Sequence, residues 1–100
     1  MNIKVNSVHF TADQKLIDFV SKKVSKMDTF FEGIIGAEVS LKVDKPEAAN
    51  NKIAEIRIQL PAAEDLFARK QADTFEEATD LAVDAIRIQL TRHKEKVRGK

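Results

Sequence analysis

The chain has no cysteine, no tryptophan and no tyrosine, and only three glycines and two prolines in 100 residues. Without cysteine, disulfides and thiolate metal sites are excluded, and a reducing, cytoplasmic home is expected. No apolar run approaches the roughly 18 residues needed to span a membrane. The opening stretch from Met1 to Ser7 holds no long apolar core, so no signal peptide is expected. The scarce glycines build no phosphate-cradling loop, and neither a Ser-His-acid set nor an H-E-x-x-H motif is present. The carboxylates are spread along a helix face instead of being paired for proton transfer. These absences predict a protein that is not an enzyme and that uses no metal, cofactor or small-molecule substrate.

What the chain has in quantity is charge. Of its residues 33% are charged and 43% hydrophobic, enough for one domain with one real core. The formal net charge is only +1, yet the charges are sorted. Between Ala62 and Ile86 seven acids face two bases, a net of −5; between Arg87 and Lys100 six bases face one acid, a net of +5. A sorted basic end is what a polyanion would meet.

The hydrophobic pattern predicts an α+β fold in the order β-α-β-β-β-α, a four-stranded mixed sheet with two helices on one face. Ile3-Lys4-Val5-Asn6 alternates as a strand reaching about Phe10, with a phase slip that suggests a bulge near Ser7. Thr11 and Gln14 have capping-box spacing, so a helix is expected from about Ala12 to Met27, with Leu16, Val20, Val24 and Met27 as its buried stripe. Phe30 to Gly36 reads as a turn. Val39, Leu41 and Val43 alternate as a second strand, and Ala54, Ile56, Ile58 and Leu60 as a third. A fourth strand falls near Asp65 to Gln71. Either Asp73 or Thr74 caps the final helix, with Phe75, Ala78 and Ala82 facing inward. Nothing breaks that helix before Gly99. Its ~25 residues span about 38 Å, against about 25 Å for a strand, so its basic end should overhang the sheet. The first two strands flank a helix and should be parallel; the later connections should be hairpins.

The basic helix end has a bland explanation, since bases in a last turn complement the helix dipole. That effect fades within the last turn and does not account for six bases over fourteen residues. A second basic set, Lys15, Lys22 and Lys26 with Lys23 beside them, occupies one face of the first helix. Alone it reads as a solvated face. With both helices on one side of the sheet, the two rows would border a groove suited to an RNA backbone. The six phenylalanines fall mostly at core or turn positions, which argues against base stacking on the sheet. The competing assignment is an interaction module whose basic helix docks an acidic protein.

Gln89-Leu90-Thr91-Arg92-His93-Lys94-Glu95-Lys96 resembles the Gln-Leu-x-Lys-His-Lys-Asp/Glu-Lys end of the bacterial ribosome hibernation-promoting factors, a family that also holds ribosome-associated inhibitor A (protein Y). Lys26 to Phe31, Val39 to Val43 and Asp73-Thr74-Phe75 are similar to further family segments, so the likeness runs nearly end to end. Phe75 stands where the family usually has tyrosine. The resemblance implies the same β-α-β-β-β-α fold. It implies binding to the small ribosomal subunit in the channel of messenger RNA and the A- and P-site transfer RNAs, inhibiting translation and preserving idle ribosomes in stationary phase or stress. Carried over by position, the ribosomal RNA contacts would be Lys22, Lys23, Lys26, Arg87, Arg92, His93, Lys94 and Lys96. The chain resembles the short form, a single ribosome-binding domain over residues 1–100 without a C-terminal dimerisation domain, which in some bacteria acts with a second small hibernation factor.

Overall fold

The computed structural model describes residues 1–98; Gly99 and Lys100 lie outside the described residues. Strand β1 (Asn2–Val8) leads to helix α1 (Gln14–Ser25) and a single helical turn, α2 (Met27–Phe30). Strands β2 (Gly36–Val43), β3 (Lys52–Gln59) and β4 (Leu66–Ala72) follow, then the long helix α3 (Phe75–Arg98). The sheet order is β1-β2-β3-β4. β1 pairs parallel with β2, as the intervening helix requires, and the other two pairings are antiparallel.

The alternation that defines β2 and β3 also sets their register. Ala37, Val39 and Leu41 lie opposite Ile58, Ile56 and Ala54, and Ile56 lies opposite Ala68 of β4. A one-residue slip would turn all of these outward. They form one apolar face, which α1 covers with Val20 and Val24 and α3 with Ala78, Ala82, Ile86 and Leu90, all fully buried. The other face carries ion pairs: Glu55 accepts from Lys42 at 3.0 Å and from Arg69 at 3.5 Å, and Arg57 approaches Asp65 at 3.8 Å. Phe67 lies on this face, 46% exposed beneath the Arg57 guanidinium, and is an exception to the expected core placement of the phenylalanines.

Three local expectations are corrected. There is no bulge near Ser7: β1 pairs without interruption from Asn2 to Val8, and the phase slip marks the strand's end, where His9 turns at φ 65°. The first helix is capped by Asp13, whose Oδ1 accepts from the Leu16 N–H at 2.8 Å, so Thr11 precedes the helix. The helix also does not run unbroken to Met27. The Ser25 hydroxyl donates to the Lys22 carbonyl at 2.9 Å and the Thr29 hydroxyl to the Lys26 carbonyl at 2.7 Å. Such bonds compete with the helical ladder and set off α2 as a separate turn.

At α3 the two capping candidates divide the work. Thr74 Oγ1 accepts from the Glu77 N–H at 3.0 Å, the N-cap bond. Asp73 instead accepts from the Asn50 N–H at 2.8 Å and ties the β2–β3 loop to the helix start. Within that loop, Asn51 is 5% exposed and its amide donates to the Lys45 and Pro46 carbonyls. The 24 residues of α3 span about 36 Å, longer than any strand here. Gln89 Nε2 donates to the Phe67 carbonyl at 2.8 Å, at the start of β4, and the helix continues past it. The molecule is accordingly elongated, 50 × 23 × 18 Å.

Candidate nucleic-acid interface

α1 and α3 pack side by side, and a groove of about 620 Å³ opens between the end of α1, α2 and the middle of α3. Met27 and Val83 line its apolar part. Lys23 and Lys26 enter from one side and Arg87 from the other, with Asp80 and Asp84 on the α3 wall. The helical period places these cations here. Lys26 follows Lys22 by four residues on one face of α1, and Arg87 follows Asp80 by seven and Asp84 by three along α3.

The carboxylates temper the groove. Lys23 Nζ lies 3.2 Å from Asp80 Oδ1 and 5.6 Å from the Phe19 ring centroid. Both charged groups are more than a third exposed, so the pair contributes little to stability and its lysine remains available to a stronger anion.

Phe30, the last residue of α2, organises the other cations. The Arg87 guanidinium lies 5.4 Å from its ring centroid and Lys94 Nζ 5.1 Å from it. Lys94 Nζ also donates to the Phe30 carbonyl at 3.2 Å. One ring thus attracts two like charges through its negative π-faces. One residue on, Phe31 meets His93 with ring centroids 5.5 Å apart and planes tilted by 54°. The overhanging part of α3 is therefore braced by the end of the first helical segment.

Of the eight sequence-predicted contacts, five converge: Lys23, Lys26 and Arg87 in the groove, Lys94 through Phe30, and His93 through Phe31. Lys22 is exposed on α1 beside Lys26. Arg92 and Lys96 are exposed on the opposite flank of α3, since residues 94 and 96 point about 200° apart at 3.6 residues per turn. The sequence reading missed Phe30 as an organiser and Asp80 and Asp84 as groove residues. The i, i+4, i+7 spacing of Asp80, Asp84 and Arg87 was the available signal. Among the described residues no cluster of His, Cys, Asp or Glu is placed to hold a metal ion, and no helix is long and apolar enough to cross a membrane.

The fold has counterparts. The chain superposes on the N-terminal domain of protein Y from Thermus thermophilus with a TM-score of 0.78 and 26% identity, over 93% of this chain and 99% of that one. A ribosomal subunit interface protein from Coxiella burnetii shares the fold with a TM-score of 0.83 at 19% identity, over 94% of this chain and 98% of that one. In sequence, a ribosome hibernation promoting factor from Klebsiella oxytoca is 31% identical over 98 residues, 98% of this chain and 96% of that one. Another from Pseudomonas putida is 28% identical over 96 residues, 96% of this chain and 89% of that one. Residues 3–98, every strand and helix but the first residue of β1, match one family along their whole length, and the chain belongs to it: the sigma 54 modulation protein / S30EA ribosomal protein family.

Proposed function

We propose that this protein is a ribosome hibernation factor. It binds ribosomal RNA of the small subunit in the channel that messenger RNA and the A- and P-site transfer RNAs occupy. There it inhibits translation and preserves idle cytoplasmic ribosomes in stationary phase or stress, without catalysing a reaction. The whole fold serves as one ribosome-binding domain, and a second small hibernation factor is a further partner in this reading. The observation that carries it is that Lys23, Lys26 and Arg87 line one groove from its two sides, with Lys94 held against Phe30 at its border. The family membership and the names of its relatives support the same assignment.

The physical basis is electrostatic. An RNA backbone carries condensed counterions, and each cation that replaces one favours binding by releasing it. Charge presented from two helices can follow a curved backbone, which a single row cannot. The eight contacts expected from the resemblance extend this surface along α1 and both flanks of the α3 end.

Co-sedimentation with purified small subunits, repeated at rising salt, tests the proposal. Binding should weaken steeply with salt, and initiator transfer RNA should be displaced. A stable complex of both on one subunit would refute occupation of the channel while leaving RNA binding intact. Co-sedimentation with a nuclease-resistant protein complex in place of subunits would overturn the ribosomal assignment.

A further inference from the structure

α3 has a third surface, which meets the groove at Asp84. Leu81 is 42% exposed and Ile88 55% exposed, two of the four large apolar side chains left in solvent among the described residues. They are seven residues apart, so they stand on one line of the helix about 10.5 Å apart. At about 100° per residue, Glu77, Leu81, Asp84, Ile88 and Glu95 fall within a sector of about 60°. Arg87, Arg92, Lys94 and Lys96 all fall outside it. Arg87 and Lys94 point toward Phe30, Asp80 and Asp84 stand beside them on the wall of the groove, and the outer ridge presents carboxylates and aliphatic side chains.

We infer that this ridge docks a basic protein segment that carries an apolar anchor, of the kind a ribosomal protein extends across ribosomal RNA. The inference rests on the function proposed above and names a second partner for the same bound state. Two observations select the occupant. A phosphate backbone laid along the ridge would meet Glu77, Asp84 and Glu95, and like charges facing each other across an interface are repulsive. Neither Glu77 nor Asp84 has a cation within ion-pair distance among the described side chains, so both are available to an incoming lysine or arginine. Leu81 and Ile88 gain from a partner that removes them from water, which a sugar-phosphate backbone does poorly. Ile88 also borders a shallow recess of about 330 Å³ shared with Phe30 and Arg87, where an apolar anchor can sit beside the RNA-facing groove. The helix would then read RNA on one flank and protein on its crest.

The test uses the full chain with Leu81→Lys and Ile88→Lys together, against Leu81→Ser and Ile88→Ser. Both positions are exposed, so melting temperature should be nearly unchanged. Affinity is measured for intact small subunits and for protein-free small-subunit RNA. Docking to a basic segment predicts that the lysine pair lowers affinity for intact subunits about tenfold, that the serine pair lowers it less, and that binding to RNA alone is not weakened. A photo-crosslinking residue in place of Ile88 should label a basic ribosomal protein. Tighter subunit binding by the lysine pair with crosslinks to RNA would assign the ridge to RNA. Crosslinks between two copies of this chain would assign it to self-association. Either result overturns the inference. If the unsubstituted protein sediments with subunits and the lysine pair does so equally well, the ridge assignment alone falls. If the unsubstituted protein does not bind, the proposed function falls and takes the ridge with it.

Discussion

Lys94 Nζ donates to the carbonyl of Phe30 at 3.2 Å and lies 5.1 Å from the centroid of the same residue's ring. The contact joins residues 64 apart in sequence and locks the overhanging end of α3 to the turn that ends the first helical segment. Lys94 is consequently half-buried, while Lys96, two residues on, is exposed. The two lysines that looked equivalent in the basic run have different roles: one is positioned, the other is free in solvent.

Phe30→Leu should therefore weaken subunit binding although it removes no charge. Cation–π contacts at exposed sites contribute about 0.5–1 kcal/mol each, so full loss of two implies an affinity drop of about five- to thirtyfold. Phe30→Tyr keeps the ring and should bind like the parent. Equal binding by the leucine variant, measured beside its melting temperature, would reduce Phe30 to a packing residue.

Asp80→Asn should tighten binding. The substitution removes the carboxylate that engages Lys23 at 3.2 Å and leaves the groove more positive. Because the pair is exposed, stability should change by no more than about 0.5 kcal/mol. The slope of log affinity against log salt should steepen by somewhat under one unit, about 0.7–0.9 if Lys23 gains one full phosphate contact. An unchanged slope would show that Lys23 does not meet phosphate.

The cap of α1 separates two residues that the sequence could not. Asp13→Ala should cost about 1 kcal/mol of stability, whereas Thr11→Ala should cost little, because Asp13 alone accepts the Leu16 N–H. Denaturant midpoints of the two variants decide it; the reverse order would restore the capping box at Thr11.

Thr79 is fully buried in the core, and among the described residues its Oγ1 has no hydrogen-bond partner. An unpaired buried hydroxyl costs roughly 1–3 kcal/mol of desolvation. Thr79→Val, close in shape, should raise the melting temperature, and each kcal/mol recovered is worth about 4–8 °C in a domain of this size. A lowered melting temperature would mean that the hydroxyl is satisfied in solution.

Particular residues show why some of this was readable from the sequence. The alternation from Ala54 to Leu60 admits one buried face, so β3 and its pairing with β2 follow from period alone. The box spacings of Asp73 with Glu76 and of Thr74 with Glu77 located the start of α3 to within a residue, the Glu77 N–H bond selects Thr74, and the length of α3 against the strands gave the overhang. Asp13 was passed over because Thr11 and Gln14 also satisfy the box spacing, and spacing does not report which oxygen is aimed at the N–H. The break at Lys26 depends on hydroxyls of Ser25 and Thr29 choosing backbone carbonyls, a choice settled by packing. The groove was legible as two rows of cations. Its carboxylates, and the ring that gathers Arg87 and Lys94, depend on how two helices meet across the sheet, which no local pattern encodes.

The bond from Gln89 to the Phe67 carbonyl has a consequence for solubility. β4 has a neighbour on one side only, so its outer backbone groups are open to pairing with a strand of another molecule. Gln89 occupies one of those acceptors with a side chain fixed on the helix above, and Arg69 adds an exposed charge to the same strand. Strand-on-strand pairing is thereby discouraged along this edge of the sheet, at the start of β4.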